Sequence, residues 1–141
     1  VNFVFVIENK EILKKHGLRV TKVRMRVLDI LAGRSSAMAQ PELEEVLSEF
    51  DRVTLYRTLN SFEAKGIVHG VVNGNGVRNF AMCVDSCGPD QHHDHHIHLE
   101  CDNCGKLYCL DEVDVPDIKI PVHYKAHGLK IITQGVCPDC Q

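Results

Sequence analysis

The chain has 141 residues, 44% of them hydrophobic, and a net charge of −3, so it can form one domain or two small ones. It has no run of about 18 apolar residues, and its apolar opening lacks the cationic flank and cleavage site of a signal peptide. These features argue against a membrane-spanning or secreted protein, and we expect a cytoplasmic protein without a membrane partner.

Three helices are predicted in the first 50 residues. Residues 8–16 have helical spacing and end at Gly17, and Thr21 is a suitable cap for a second helix that runs to about Leu31. A third helix begins near Pro41, because proline suits the first helical turn and the apolar residues after it form one stripe.

A fourth predicted helix, residues 52–65, has an apolar side and a polar side. Leu55, Leu59 and Phe62 follow the i, i+4, i+7 spacing of a buried stripe. Polar side chains lie on the opposite side or near the N-terminal end, where a recognition helix meets base edges: Thr54, Tyr56, Arg57 and Asn60. The pattern predicts a DNA-reading helix.

A β-hairpin is predicted next. Residues 67–72 and 77–83 flank Asn73-Gly74-Asn75-Gly76, which supplies the positive φ angles of a tight turn. Helices followed by a hairpin are typical of a winged helix-turn-helix; a helical domain with an incidental hairpin is the alternative. Residues 1–70 carry 11 Lys and Arg against 9 Asp and Glu, and residues 71–141 carry 5 against 10, so DNA contact is expected in the first half.

A polar stretch around Gly88-Pro89 predicts a linker between two domains. We place a winged-helix domain at residues 1–84, a hinge at 85–94 and a metal-binding domain at 95–141. In the second domain we expect short strands at residues 95–100, 106–110 and about 125–132, with an acidic, proline-containing stretch before the last. The predicted fold class is α+β, with a winged helix-turn-helix followed by a small α/β or mostly β domain.

The strongest chemical signal is a pair of CxxC motifs separated by 32 residues, namely Cys101, Cys104, Cys137 and Cys140. Four thiolates in two such knuckles suit one tetrahedral zinc ion per chain with a structural role, because its binding energy becomes folding energy. A thioredoxin-like redox motif is the alternative, but neither CxxC opens a helix after a strand.

A second metal site is predicted from a run of histidines. Alternation along a strand puts His96 and His98 on one face, although a solvated metal-scavenging tract is the alternative. A tetrahedral ion needs two more ligands, and His69 and Cys83 lie on the two strands of the hairpin. An ion shared by these four would couple the two domains, although His69 could also be an ordinary strand histidine and Cys83 a small buried hydrophobe.

Other possible ligands have no assigned role. Cys109 lies on the strand after the first knuckle and could replace Cys83 or add to its site. The remaining thiol and imidazole side chains are Cys87, His92, His93, His95, His123 and His127.

Two stretches resemble the ferric uptake regulator family. Residues 51–59, DRVTLYRTL, are similar to its recognition helix, and residues 13–21, LKKHGLRVT, are similar to its first helix and turn. The His-rich strand, the paired CxxC motifs and Gly135-Val136-Cys137 resemble its dimerisation domain. Gly66 to His69 and Phe80 to Cys83 resemble the zinc-uptake branch, whereas the iron-branch ligand positions correspond here to Ala37 and Ala81.

This resemblance implies a homodimeric metalloregulator that represses transcription when it binds palindromic, double-stranded operator DNA with its sensory metal loaded. Tyr56 and Arg57 match DNA-reading positions, and Lys15 and Arg19 match basic positions near the DNA. The four CxxC cysteines match a structural zinc site. The sensory metal is expected to be a second zinc, or another divalent ion, at His69, Cys83, His96 and His98. No small-molecule substrate is implied.

Three alternatives stay open. The chain could be an iron- or peroxide-responsive regulator of the same family, or a zinc-binding protein that does not regulate DNA. It could also be a zinc enzyme, since His98-Leu99-Glu100 and the second CxxC resemble a deaminase signature. An enzyme is not expected, because four cysteines close the zinc shell and leave no position for a catalytic water.

Overall fold

A computed structural model describes residues 3–82, 97–110, 113–127 and 129–141 of the chain, with side chains from residue 8 onward. Helices dominate the first half and strands the second, which confirms the α+β prediction. The elements in chain order are α1 Phe3–Lys15, α2 Lys22–Leu31, β1 Ser36–Ala39, α3 Gln40–Val46, α4 Arg52–Ala64, β2 Val68–Val72, β3 Arg78–Met82, β4 Ile97–Cys101, β5 Leu107–Leu110, β6 Ile131–Gly135 and a 3₁₀ turn at Pro138–Cys140.

The local signals explain where the helices begin and end. The Thr21 hydroxyl accepts a hydrogen bond from the Arg24 N–H at 3.4 Å and caps α2, as predicted. Pro41 lies in the first turn of α3. Gly17 follows α1 with φ +72°, a left-handed conformation that glycine adopts at little cost.

The main core lies between the helices and one face of the β2–β3 hairpin. Its buried side chains include Leu28 from α2, Leu59 and Phe62 from α4, Val68 from β2 and Phe80 from β3. The three residues predicted as the apolar stripe of α4, Leu55, Leu59 and Phe62, are all buried. The helices and the hairpin therefore form one packed unit.

The six strands form one sheet in the order β2-β3-β1-β5-β4-β6. Strand β1 was not predicted, since four small or unbranched residues carry little strand signal. It is nevertheless central, because it pairs antiparallel with β3 on one side and with β5 on the other. The hairpin of the first half and the strands of the second half thus belong to a single sheet.

The other face of this sheet holds a second, smaller apolar cluster. Ala37, Val71 and Leu107 are buried there, and Ala81 and Ile132 pack against them. The cluster draws one residue from each of five strands. It joins the hairpin to the second half of the chain on the face away from the helices.

The prediction for the last strand was wrong in position. The structure places β6 at Ile131–Gly135 and residues 125–127 in no regular element. β6 pairs in parallel with β4, so that Ile131 lies opposite Ile97 and Ile132 opposite His98. The apolar pair Ile131-Ile132 can pack in the sheet, whereas the polar residues before it, which include Lys125 and His127, are exposed.

Described residues 113–127 contain neither helix nor strand. This agrees with the prediction that the proline-containing stretch would interrupt any long helix. The predicted hinge, residues 85–94, lies outside the described residues. The domain boundaries therefore stay a prediction. Among the described helices, none has the length and apolar character that crossing a membrane requires.

Candidate metal centres

The four CxxC cysteines lie together at one end of the second half. Their sulfur atoms are all within 4.8 Å of one another, and the Sγ atoms of Cys104 and Cys137 are 3.8 Å apart. A tetrahedral ion with bonds of about 2.3 Å to sulfur separates its ligands by about 3.8 Å. The cluster therefore has the donor chemistry and the dimensions of a four-thiolate metal site.

Backbone hydrogen bonds hold the two knuckles together. Cys101 ends β4, and its carbonyl accepts a hydrogen bond from the Gly105 N–H at 2.9 Å across the first knuckle. Gly105 has φ +71°, as this tight turn requires. The Asp102 N–H donates to the Gly135 carbonyl at the end of β6, at 2.8 Å, and brings the second knuckle alongside.

Fixed hydrogen-bond donors favour thiolate at two of these cysteines. The backbone N–H groups of Cys104 and Cys137 lower the pKa of Cys101 to about 6. The Tyr108 hydroxyl donates a hydrogen bond that lowers the pKa of Cys137, and the same bond raises the pKa of Tyr108. The site thus presents anionic sulfur at neutral pH.

The remaining electrostatics favour a cation. The pKa of Cys140 is raised to about 12, mainly by a hydrogen bond with the Cys137 side chain and also by burial. Neighbouring thiolates repel one another, so all four can ionise together only when a positive charge lies between them. The arrangement therefore suits a divalent ion better than four free thiols.

A second cluster joins the two halves of the chain. His69 from β2, His98 from β4 and Cys109 from β5 each place a ligand atom within 4.8 Å of the others. The Nε2 atom of His69 is 3.2 Å from the Sγ atom of Cys109, and the two imidazole rings are 5.6 Å apart between centroids. A tetrahedral zinc ion would hold an imidazole nitrogen and a thiolate about 3.6 Å apart. This cluster has three of the four ligands that such an ion needs.

The pairing of the strands explains how these side chains meet. His98 lies directly opposite Cys109 in the β4–β5 ladder, so the two side chains share a face. Two strands, β3 and β1, lie between β2 and β5 in the sheet order, so His69 can reach Cys109 only if the sheet curves strongly. The face inside this curve is also the face of the small apolar cluster of Ala37, Val71 and Leu107.

The histidines of this cluster are well shielded from solvent. His69 is 4% exposed and His98 is 3% exposed, while Cys109 is half-buried. Exclusion of water strengthens the bonds between such ligands and an ion. The turn of the hairpin also contacts the second half, since the Gly74 N–H donates to the Glu100 carboxylate at 3.3 Å.

The structure brings together two of the four residues predicted to share the second ion, His69 and His98. Cys83 and His96 lie outside the described residues, so their part stays a prediction. The sequence suggested Cys109 only as a replacement for Cys83 or an addition to its site, and the signal that points to it is its register opposite His98 on the neighbouring strand.

Other possible ligands do not join a cluster within the described ranges. His123 and His127 are exposed in the irregular stretch, residues 113–127. The remaining candidates, Cys87, His92, His93 and His95, lie outside the described residues.

The residues predicted to contact DNA fall into two groups. Lys15, Arg19 and Arg57 are exposed, and Tyr56 is 50% exposed. Thr54 and Asn60 are half-buried, and the Asn60 Oδ1 atom accepts a hydrogen bond from Arg78 Nη1 at 3.0 Å. Asn60 therefore uses part of its hydrogen-bonding capacity within the protein.

Comparison with known proteins agrees with this arrangement. Residues 15–136 match the ferric uptake regulator family. The ferric uptake regulation protein of Legionella pneumophila is 30% identical over 146 residues, which cover 96% of this chain and 100% of that protein. That of Shigella flexneri is 35% identical over 136 residues, covering 92% of this chain and 84% of that protein.

Two solved structures share the fold. The crystal structure of holo XcZur has a TM-score of 0.67 at 24% identity and covers 97% of this chain and 96% of its own. A zinc uptake regulator in complex with zinc and DNA has a TM-score of 0.65 at 18% identity and covers 97% of this chain and 93% of its own. Since the family match spans most of the sequence, the chain belongs to the ferric uptake regulator family, the family of metal-responsive transcription regulators, and its structural relatives include zinc uptake regulators.

Proposed function

We propose that this protein is a zinc-responsive transcriptional repressor that binds operator DNA as a homodimer. The observation that carries the proposal is the cluster of His69, His98 and Cys109, in which ligands from both halves of the chain converge. An ion bound there would link the hairpin of the DNA-binding half to the strands of the second half. Cys83 and His96 remain the candidates for a fourth ligand.

The donor set favours zinc over iron as the sensory metal. Two imidazoles and a thiolate suit zinc, whereas iron-responsive and peroxide-responsive sites use nitrogen and oxygen donors. The positions that resemble the iron-branch ligands are Ala37 and Ala81, and both side chains pack in the small apolar cluster instead. Neither alanine can bind a metal.

The four-cysteine cluster is proposed to hold a structural zinc ion, one per chain. Four thiolates fill a tetrahedral shell and leave no open position for water or substrate. This supports a regulator without catalytic activity and without a small-molecule substrate. The ion would hold the end of β4 to the end of β6.

DNA binding is assigned to α4 and the hairpin of the first half. Tyr56 and Arg57 lie on the exposed N-terminal part of α4 and are proposed to read bases, with Thr54 and Asn60 beside them. Lys15 and Arg19 are exposed and would contact phosphates. The zinc uptake regulator that shares this fold was solved in complex with zinc and DNA, which supports the same partner here.

Homodimerisation is supported by apolar side chains in the irregular stretch, residues 113–127. Val122 is 95% exposed and Tyr124 is 72% exposed, and Val113, Ile118 and Ile120 are also exposed. Several exposed apolar side chains within one short stretch are typical of protein interfaces. The second half is therefore the proposed dimerisation surface.

The mechanism follows from the position of the second cluster. His69 lies on the hairpin, and His98 and Cys109 lie on strands of the second half, so metal binding would reduce the freedom of one half relative to the other. In a dimer, this would favour a separation of the two α4 helices that matches one turn of DNA, about 34 Å. If the metal binds the arrangement that fits DNA about a hundredfold more tightly than the other arrangements, it raises the population of the DNA-binding arrangement relative to the others by up to the same factor.

The test begins with a duplex selected by the wild-type protein from a random DNA pool in the presence of zinc. Binding of this duplex is then measured by fluorescence anisotropy while free zinc is buffered, and separately with ferrous iron under anaerobic conditions. We expect zinc to raise the affinity on the order of tenfold or more. Activation by iron and not by zinc would replace the zinc assignment with an iron-responsive one.

Variants identify the ligands. Cys109→Ser and His98→Ala should abolish the response to zinc while leaving the four-cysteine ion in place, as counted by elemental analysis. Leu110→Val is the matched control, because Leu110 lies on the same strand but on the opposite face. A full zinc response in Cys109→Ser, together with its loss in Cys83→Ser, would assign the thiolate to Cys83 instead.

A further inference from the structure

One arginine joins the hairpin to the helix that is proposed to read DNA. Arg78 begins β3, and its Nη1 atom donates to Asn60 Oδ1 on α4 at 3.0 Å. Its Nη2 atom forms an ion pair with Glu63, one turn further along the same helix. Asn60 and Glu63 are three residues apart, so they lie on one side of α4. One side chain thus spans from the hairpin to two successive positions of the helix.

The surroundings of Arg78 restrict where its side chain can lie. The guanidinium carbon is 4.8 Å from the centre of the Phe80 ring, and Phe80 is part of the main core. Arg78 and Glu63 are both about one-third exposed, so their ion pair is partly shielded from solvent. The guanidinium is held by an aromatic face and two acceptors at once.

Gly70 leaves the space that this arrangement occupies. A Cβ atom at Gly70 would be 3.1 Å from Arg78 Nε and 3.2 Å from a Glu63 carboxylate oxygen. Such contacts are tighter than most contacts of a Cβ atom, so a larger residue at this position would require the Arg78 and Glu63 side chains to shift by a few tenths of an ångström. Gly70 directly follows His69, which places the ion pair beside the strand that carries the metal ligand.

The chemistry of this contact requires arginine. A planar guanidinium presents several N–H donors in a fixed fork and binds two acceptors in different directions while its plane stacks on a ring. A lysine ammonium is a single point charge on a flexible chain, and it would keep the charge without the geometry.

Resting on the proposed function, we infer that Arg78 is a positioning residue that sets the specificity of DNA binding without itself contacting a base. It fixes α4 relative to the hairpin, so that Tyr56 and Arg57 meet the base edges in one orientation. It also connects the strand that carries His69 to the helix, because the ion pair packs against Gly70. Loss of this contact leaves phosphate binding intact and lowers the preference for one sequence over another.

The experiment measures affinity for two DNA duplexes at several salt concentrations, with zinc-loaded wild-type protein and with Arg78→Lys. One duplex is the sequence selected by the wild-type protein, and the other is a scrambled duplex of equal length. We expect Arg78→Lys to lower the ratio of the two affinities about tenfold, since charge-assisted hydrogen bonds of defined geometry are lost. The slope of affinity against salt should stay unchanged, because the number of phosphate contacts does not change.

A second variant approaches the same contact from the helix. Glu63→Gln keeps the shape of the side chain but removes the ion pair, and it should lower the affinity ratio in the same direction by a smaller factor. It adds no strain to the hairpin, so the inference stays testable if Arg78→Lys folds poorly. The control is Arg26→Lys, which makes the same exchange at an arginine of α2 whose ion pair, with Glu49 at 3.2 Å, does not involve a hairpin residue.

Three results separate the possibilities. An unchanged affinity ratio in both Arg78→Lys and Glu63→Gln overturns the inference. The neutral variant Arg78→Gln tests for a direct phosphate contact. Such a contact would lower the slope of affinity against salt by about one and weaken binding to both duplexes equally, and this result also overturns the inference. If the wild-type protein selects no sequence from the pool, the proposed function itself has failed.

Discussion

Removal of one exposed cysteine should unfold half of this protein. Between residues 97 and 141, the described buried side chains are Ile97, His98, Cys101, Leu107 and Cys137. Three of these, His98, Cys101 and Cys137, are proposed zinc ligands. Ile97 and Leu107 are therefore the main apolar contribution, worth about 1.5–3 kcal/mol each. A structural zinc site contributes roughly 10–16 kcal/mol, which equals or exceeds the whole stability of a typical domain, about 5–15 kcal/mol. The metal therefore decides whether the second half folds.

Cys104→Ser is the informative change, because Cys104 is exposed and its loss leaves no cavity. If four ligands share the binding energy roughly equally, the loss of one weakens the site by about 3 kcal/mol, or more than a hundredfold in metal affinity. In the presence of a competing chelator, the variant should lose its ion and the protection of amides in β4, β5 and β6. Amides of α2 and α4 should stay protected, since the main core includes 13 buried side chains from the first half.

The assay is hydrogen exchange followed by mass spectrometry, with the metal content of each sample measured in parallel. Asn103→Ser is the control, because Asn103 is exposed in the same knuckle and the substitution keeps every cysteine. If Cys104→Ser releases its ion but retains protected amides in β4–β6, the second half is stable by packing alone. The reasoning from its small core would then be wrong.

Two further outcomes follow from the charges of the molecule. Protons compete with the ion for the thiolates, and the pKa of Cys101 is lowered to about 6, so the structural ion should be retained at pH 7 and released only at acidic pH, which a chromogenic chelator can measure. Release with a midpoint above pH 7 would contradict this. Arg57→Ala should lower the affinity for the selected duplex by about 1–3 kcal/mol and relax the sequence preference of the protein. Lys15→Ala should weaken binding to all duplexes and reduce the slope of affinity against salt by about one. Equal effects of the two substitutions would contradict their assigned roles.

Local sequence signals were sufficient for most of the first half. Thr21, Pro41 and the apolar spacing of α4 act within a few residues, so the starts of α2, α3 and α4 could be predicted without knowledge of the fold. The first helix was predicted to begin at residue 8, but α1 begins at Phe3. The hairpin was predicted from the positive φ angles that Asn73 to Gly76 could supply, and of these four residues Gly76 has one, at +78°. The Asn73 side chain also holds the turn, because it accepts hydrogen bonds from the N–H groups of Asn75 and Val77, both at 2.9 Å. The residues that make these turn and cap interactions are close together in the sequence, so the interactions can be predicted locally.

The four-cysteine cluster was also predictable, although its two knuckles are far apart in the chain. Each CxxC is a local motif whose ligand chemistry requires a partner, and only one other CxxC is present. Metal chemistry therefore supplied the long-range contact that hydrophobic patterning could not. The error in β6 has the opposite cause, because its position depends on parallel pairing with β4 rather than on a local signal.

The second metal cluster shows what local reasoning cannot reach. Histidines on the hairpin and in the His-rich run suggested a shared ion, but the choice between Cys83 and Cys109 as its thiolate depends on how the sheet bends. That bend passes through β1, four residues with weak strand propensity that pair with Phe80 and Asn79 on one side and with Leu107 and Tyr108 on the other. Because β1 places β5 next to the hairpin strands, it carries Cys109 to within 3.2 Å of His69. A disruption of β1 should therefore weaken the sensory cluster without altering any of its ligands.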